Sequence, residues 1–441
     1  MSRNKASCFV QYNVVGILFV IVLKLSLVKC VIWDDSNISH YRPKDTGFIQ
    51  ELNSIRCVDY QGHLSGKSRW PFSCLLPASH LATGRVVDGT SNKPERSITP
   101  PWMNLTLFRQ GQEFARKHSG HLLLSHIYGL FCVNLFLDSK EVLLFAGGFD
   151  TPQKAAKRYT RIANGIFSWY RNMPPAKDYP RFESIANSIK NVRGIHRNIT
   201  DAALRRIKGK RQDLINPTLY KSRSTNEELW KAFKMDVSSS TIPYENRFLP
   251  IEYELTEDER RPLNQFIQAM TQFGFIGFPV LFPERIGLQN PDENELFAFN
   301  HLWAVIGYLV GIRDEYNISL QPNLKTARKY FRDIFDTFIQ PSFFQVDFFA
   351  KILIDPLLEG INQLESTMTP GVIVTRILRD IMRIPVPNLT KRLNTVESLS
   401  LAVTDAVVGN NMNLNRLLVT LVGDNILGQT KGQNIEESPT A

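Results

Sequence analysis

The 441-residue sequence lacks several patterns that would assign a function at once. Its five cysteines include no Cys-x-x-Cys pair, which excludes a structural zinc site built on cysteines. No His-Glu-x-x-His sequence occurs, so a zinc hydrolase of that type is excluded. The chain has no recognisable nucleic-acid motif, no internal repeat and no long low-complexity segment. Strict alternation of apolar and polar residues, which is typical of strands, is nearly absent, and this predicts an all-α fold.

The charge balance is mildly basic, with 52 Lys and Arg against 42 Asp and Glu and a formal net charge of +10. This excess is compatible with an anionic cofactor or an anionic membrane surface, and by itself it does not indicate nucleic-acid binding. The densest basic cluster follows a predicted helix, where a solvated loop explains it better than a binding patch does. Its members are Arg205, Arg206, Lys208, Lys210 and Arg211.

The N-terminus has the form of a targeting segment. Arg3 and Lys5 precede an uninterrupted apolar run of ten residues, Val14–Leu23, which Lys24 ends. A run of this length suits the apolar core of a signal peptide and is shorter than the about 20 residues that span a bilayer. We therefore predict a signal peptide or an uncleaved, transmembrane signal anchor in residues 1–32. Either would place the rest of the chain in the endoplasmic reticulum or secretory pathway, as a secreted or membrane-anchored protein.

Five Asn-x-Ser/Thr sequences permit that placement and predict a glycoprotein. We expect glycans at Asn37 or Asn388, outside the helical core. We expect none at Asn198, because a glycan there would crowd a predicted ligand-binding residue. The remaining two sequences are at Asn104 and Asn317.

Three further regions follow the targeting segment. Residues 33–100 lack periodicity and are rich in Ser, Gly, Pro and Asp, so they predict an irregular N-terminal arm. Residues 101–330 show helical periodicity, including a helix that begins at Pro152 after Thr151, and they predict the catalytic domain. Residues 331–441 continue as helical runs separated by prolines and predict a helical C-terminal extension.

The cysteines are divided among these regions. Cys8 and Cys30 belong to the targeting segment, and Cys57 and Cys74 could form a disulfide within the arm in an oxidising lumen. Cys132 lies in an apolar stretch and is predicted to be a buried free thiol.

His196 is the strongest single candidate for a ligand. It lies in the stretch Phe182–Thr200, where it occupies one position of an otherwise apolar helix face. A neutral imidazole on an apolar wall can bind the iron of haem, and nearby cations can meet the haem propionates. A satisfied core histidine is the alternative, and it is the commoner role for a lone histidine on such a face. The apolar members of the face are Ile185, Ile189, Val192 and Ile199, and the cations are Lys190, Arg193 and Arg197.

Four segments carry a family resemblance through their order and spacing. They are Pro100-Pro101-Trp102 leading into Phe108–Phe114, then Val192–Arg197, then Gln265–Phe282, then Asn300–Ile312 followed by Arg313–Asn317. Together they resemble the family that joins the rubber oxygenase (latex clearing protein) catalytic domain to the ER-bound oxygenase mpaB. The resemblance covers roughly residues 100–330, and it depends on the four segments occurring together.

The resemblance implies an all-α fold with a globin-like core that binds haem b, whose iron is held by His196. Arg193 and Arg197 would be further cofactor-binding residues. On the open side of the iron, the resemblance implies Arg158 and Thr160 as catalytic residues, with Arg161 a less direct counterpart. The sequence departs from the rubber oxygenase pattern because no Lys-Thr pair follows the arginine, which puts a lysine ligand on the second face in doubt.

The reaction of the resembled family is oxidative cleavage of a carbon–carbon double bond in an isoprenoid chain. The resemblance therefore implies a haem-dependent oxidoreductase that uses dioxygen and an apolar isoprenoid or lipid-like substrate, with a membrane as a partner and no nucleic acid. The alternative is a non-catalytic helical protein of the ER or cell surface that binds haem or a lipid. Bound haem that reacts with dioxygen would distinguish the two.

Other candidate residues have a structural explanation that we favour. We expect His301 to form a hydrogen bond within the helix packing, and Glu141 to be an exposed acid rather than a catalytic carboxylate. Three histidines near residue 120 make a weak metal site because no Asp or Glu completes the set. Four phenylalanines could line a substrate pocket but are more typical of core. The histidines are His118, His121 and His126, and the phenylalanines are Phe273, Phe275, Phe278 and Phe282.

Overall fold

The computed structural model describes residues 78–91, 99–171, 179–209, 220–249 and 261–409. These residues belong to a single unit of the chain, residues 45–441. Within the described ranges there are fourteen α-helices and no strands, which confirms the predicted all-α fold. The targeting segment, the Cys57–Cys74 pair and Asn37 lie outside the described residues.

A short 3-10 helix at Ala78–Val86 precedes the α-helices. The first eight α-helices are α1 (Leu105–Lys117), α2 (Ser119–Val133), α3 (Leu137–Ala146), α4 (Pro152–Arg171), α5 (Tyr179–Lys208), α6 (Glu227–Ser238), α7 (Gln265–Leu281) and α8 (Glu293–Val310). They are followed by α9 (Leu324–Ile334), α10 (Gln340–Ser342), α11 (Phe348–Leu364), α12 (Pro370–Arg376), α13 (Pro387–Arg392) and α14 (Thr395–Gly409).

Several helix ends follow directly from local sequence. The α4 helix begins at Pro152, as predicted, because proline suits the first turn, where its missing N–H is not needed. The Asn104 side chain caps α1 by accepting hydrogen bonds from two backbone N–H groups of the first turn. Asp292 caps α8 in the same way, and Gly311 ends that helix with a left-handed φ of 112°. Helix ends of this kind can be predicted from sequence because each depends on a few adjacent residues.

Two glycines allow the central helices to cross at very short range. A Cβ atom built on Gly129 of α2 would lie 1.8 Å from the carbonyl oxygen of Gly274 of α7. A Cβ atom on Gly111 of α1 would lie 2.3 Å from the carbonyl oxygen of Ala298 of α8. No side chain fits at these separations, so the two crossings require glycine. They bring α7 and α8 into the centre of the bundle.

The centre of the bundle is largely aromatic. The four phenylalanines at 273, 275, 278 and 282 are at most 8% exposed, which confirms that they are core. The ring of Phe275 stacks on that of Trp303, with ring centroids 4.7 Å apart. Cys132 is a buried free thiol, as predicted.

Among the described residues, no helix combines the length and apolar character needed to cross a membrane. The signal anchor was predicted in residues 1–32, which lie outside the described residues. The described residues contain no group of three or more His, Cys, Asp and Glu side chains that could hold a metal ion. This contradicts the expectation of a metal-binding protein for any site built from several such side chains. The His118 and His121 rings lie 6.1 Å apart without a third donor to complete a set.

In two of the Asn-x-Ser/Thr sequences, the asparagine side chain forms hydrogen bonds with a distant part of the chain. The side-chain nitrogen of Asn388, which would carry a glycan, donates a hydrogen bond to buried Asp236 at 2.7 Å. Asn317 is 3% exposed and hydrogen-bonds to Gln272 and to the carbonyl oxygen of Ala304. A glycan at Asn388 would replace one of the two hydrogens on this nitrogen, so the bond to Asp236 would have to use the other.

Candidate functional site

His196 lies where the apolar face of α5 emerges from the core. Earlier on that face, Ile185 and Ile189 are 3% and 0% exposed. Val192, His196 and Ile199 are only half-buried. The next buried residues of α5, Ala203 and Ile207, belong to a separate small cluster with Phe145. The imidazole thus lies between two hydrophobic clusters, on an apolar wall that the protein covers only in part.

The His196 ring is held by a side chain from α7. Its Nδ1 atom lies 3.3 Å from Nε2 of Gln268, and the same amide nitrogen donates to the carbonyl oxygen of Gly89 at 3.2 Å. In this arrangement Nδ1 accepts and the ring proton is on Nε2. A half-turn of the amide would present its oxygen to Nδ1, move the proton there and free the Nε2 lone pair, at the cost of the hydrogen bond to Gly89.

The imidazole is electrically neutral at physiological pH. Burial lowers the pKa of His196 to about 4, and the positive charge of Arg158 lowers it further in the same direction. A neutral imidazole has one lone pair, which in this arrangement is on Nδ1 and accepts from Gln268.

Arg158 of α4 is the charged group that acts on His196. Its Nη1 atom donates to the carbonyl oxygen of Gly147 at 2.7 Å, and its guanidinium carbon lies 4.7 Å from the centroid of the Phe149 ring. Burial lowers the pKa of the guanidinium, which still remains charged. The charge of Arg158 therefore acts on His196, as the lowered pKa of the imidazole shows.

Thr160 is not brought to this pair. Two residues along an α-helix correspond to a rotation of about 200°, so Thr160 projects from a different side of α4 than Arg158. It shares a face with Ala156, one turn earlier, which packs closely against Gly360 of α11. The resemblance implied both residues at the open side of an iron, whereas in the structure they lie on different sides of α4.

The two other predicted cations have different surroundings. Arg193 donates from Nε and Nη2 to the carbonyl oxygen of Thr90, at 3.2 and 2.7 Å, and so ties the 89–90 loop to α5. Arg197 is exposed one turn further on. Neither of these arginines helps to lower the pKa of His196. The charged residue that does so is Arg158.

His301 has the structural role that we favoured. Its Nε2 atom accepts a hydrogen bond from the backbone N–H of Asn104 at 3.0 Å. Its ring meets that of Trp102 edge-on, with centroids 5.9 Å apart. His301 therefore joins α8 to the start of α1 and does not face His196. Glu141 of α3 is half-buried.

Sequence reasoning missed Gln268, although a signal for it exists. Three glutamines lie on one side of the otherwise apolar α7, at positions 265, 268 and 272, and each is at most 3% exposed. Each donates to a backbone carbonyl of a neighbouring segment, namely those of Gly311, Gly89 and Trp303. Buried amides need partners, so a polar row on an apolar helix indicates long-range hydrogen bonds.

No protein-family model, curated protein or solved structure matches this chain. The resemblance to the rubber oxygenase family therefore depends on the four sequence segments alone. The structure adds a neutral imidazole, a half-buried cation whose charge acts on it, and a half-covered apolar wall.

Proposed function

We propose that this protein is a haem-dependent oxygenase with His196 as the protein ligand of the iron. The observation that carries the proposal is the position of His196 at the point where the apolar face of α5 leaves the core, with the charge of Arg158 helping to lower its pKa. A positive charge beside a ligand imidazole helps to keep that imidazole unprotonated. The same charge suits the propionates of haem or the polar end of bound dioxygen.

The residues around His196 fit a haem group. The porphyrin nitrogens supply four of the iron ligands, so one imidazole suffices and no cluster of protein ligands is needed. Val192 and Ile199 on α5 and Ile162 on α4 are half-buried and pack against the main core, which leaves apolar surface for a porphyrin face. Gln268 would orient the ring through Nδ1, as partners of ligating histidines commonly do.

When bound, the haem would supply the oxygen chemistry. The protein would then orient the ring through His196, provide a positive charge through Arg158 and exclude water with the apolar wall. An apolar substrate such as an isoprenoid or a lipid chain is the class that this wall suits. The targeting segment would deliver the enzyme to the secretory pathway.

The test is an absorption spectrum of the full-length protein, purified after expression with haem available. We expect a Soret band that is lost in His196→Ala. The control is His121→Ala on α2, whose ring contacts His118 and which should keep the band. Equal Soret absorbance in wild type and His196→Ala would refute the assignment.

The second candidate function is a non-catalytic haem- or lipid-binding protein. The position of Thr160 favours this second function. Thr160 lies on a different side of α4 from Arg158, so of the two predicted catalytic residues only Arg158 acts on His196. Oxygen consumption with a polyisoprenoid substrate distinguishes the two functions. A haem-loaded protein that consumes no oxygen with such substrates would support the non-catalytic function.

A further inference from the structure

The last described helix, α14, has its polarity reversed relative to an ordinary surface helix. Three large apolar side chains point to solvent: Val396, Leu399 and Val403 are 69%, 64% and 43% exposed. Their spacing places them on one face of the helix, and we call these three residues the outward stripe. Ala402 and Ala406 on the same side are also exposed. A surface helix normally buries its apolar face, so this face is suited to a partner.

The inward face of α14 contains the polar groups. Asp405 accepts hydrogen bonds from Nη1 of Arg376 and from Nη2 of Arg379, each at 2.6 Å. Glu397 accepts one from the backbone N–H of Asn394. Both carboxylates of this helix are therefore occupied by partners within the protein. The outward stripe has no unpaired negative charge from its own helix.

Positive charge gathers on a segment that packs against α14. The guanidinium carbons of Arg285 and Arg332 lie 4.1 and 4.8 Å from the centroid of the same Phe282 ring. Nη1 of Arg285 also donates to the carbonyl oxygen of Ile381, two residues before Arg383. We call Arg285, Arg332 and Arg383 the arginine cluster. The segment that carries Arg285, Pro283–Ile286, contacts α14.

The fold holds the three arginines of the cluster together although their positive charges repel one another. The charges of Arg383 and Arg332 both lower the pKa of Arg285, after the larger effect of burial. Arg383 is also one of two non-glycine residues among those described with positive φ, at 57°. A left-handed conformation costs a residue with a side chain about 1 kcal/mol or more. Glu284 and Asp380 offset the positive charge only in part, because Asp380 already pairs with Arg376 and Arg379.

We propose that the outward stripe and the arginine cluster form one docking surface for an anionic lipid layer. The stripe would enter the boundary between headgroups and acyl chains, and the arginines would contact the phosphate and carboxylate groups of the headgroups. Apolar residues on one helix face flanked by arginine and lysine are the features by which helices lie on membranes without crossing them. Two more exposed cations, Lys391 and Arg392, lie just before α14 and add to the attraction.

The experiment is co-sedimentation of the full-length protein with vesicles of phosphatidylcholine, alone or with phosphatidylserine. We expect wild type to bind the mixed vesicles more tightly than the neutral ones. The triple variant Val396→Ser, Leu399→Ser, Val403→Ser should bind the mixed vesicles at least about tenfold more weakly, because it removes the apolar contribution. The double variant Arg332→Gln, Arg383→Gln should lose about fivefold per arginine, and only with phosphatidylserine present.

Two controls separate docking from folding. Met235→Ser removes an apolar side chain of α6 that is 50% exposed, and it should leave vesicle binding unchanged. Arg383→Gly relieves the left-handed strain, so it should raise Tm while weakening binding to the mixed vesicles. All variants keep the N-terminal apolar run, so its own affinity for vesicles cancels in each comparison.

Equal binding by wild type and the triple variant would overturn the proposal. So would a wild-type dimer that becomes monomeric in the triple variant without any loss of vesicle binding. That second result would assign the outward stripe to a second copy of the chain.

Discussion

Gln268 of α7 holds Nδ1 of His196 of α5 with its side-chain amide, at 3.3 Å. The two residues are 72 positions apart in sequence, and the same amide also supports the 89–90 loop through Gly89. The orientation of the proposed ligand is therefore set by a neighbouring helix, α7.

Gln268→Leu should weaken haem binding by about 10- to 100-fold, because the imidazole loses the group that orients it. Gln268→Glu should retain haem, since a carboxylate can accept a hydrogen bond from Nδ1. Haem titration followed at the Soret band measures both. Equal affinities in the leucine and glutamate variants would show that Gln268 does not position the ligand.

Arg158→Ala should raise the pKa of His196 from about 4, because the nearby positive charge is removed. The value should stay below the usual 6.5, since burial is the larger cause of the shift. Titration of the imidazole resonance by NMR in haem-free protein measures this. Arg158→Lys keeps the charge and should leave the pKa close to that of wild type. A rise in Arg197→Ala as large as in Arg158→Ala would contradict the assigned partner.

His126→Phe should make the protein less sensitive to acid. His126 is fully buried among aromatic rings, and burial lowers its pKa to about 3, against 6.5 for a free histidine. The unfolded chain therefore binds a proton at this residue that the native chain does not, and wild type loses stability as the pH falls below 6.5. Between pH 7.5 and 5 this single site accounts for about 2 kcal/mol.

Urea unfolding of wild type and His126→Phe at both pH values tests the prediction. The effects of Asp314 and Asp355, whose pKa burial raises to about 6, have the opposite sign and cancel in the comparison. Parallel pH profiles of the two proteins would show that His126 is not buried in its neutral form.

Gly129→Ala should destabilise the protein by about 3 kcal/mol or more, because the added methyl group meets the backbone of Gly274. Gly165→Ala is the matched control, since it also lies within a helix and a Cβ atom there meets nothing within 4 Å. It should stabilise the protein by up to about 1 kcal/mol. Thermal unfolding of the two variants is the measurement, and similar Tm values would contradict the close crossing of α2 and α7.

The local features of the chain could be predicted from sequence. The all-α fold, the start of α4 at Pro152, the apolar face of α5 and the buried thiol of Cys132 are present as predicted. Each depends on residues within a few turns of one another, because helix hydrogen bonds and helix faces repeat over short distances.

Roles that depend on distant partners were assigned less well. Thr160 was grouped with Arg158 on the family resemblance, although helix rotation places the two on different sides of α4. Arg193 was assigned to haem propionates, but the carbonyl oxygen of Thr90 accepts from its guanidinium. The nitrogen that would carry the predicted glycan at Asn388 donates to Asp236, 152 positions away.

The sequence by itself determined that the chain is helical and which face of α5 carries His196, because the 3.6-residue period is a local property. The tertiary structure decided that Gln268 holds that imidazole, that Arg158 lies beside it, and that α14 turns its apolar face outward. Those relationships arise where helices cross, and the crossings depend on side-chain volume and on glycines such as Gly129 that admit another backbone.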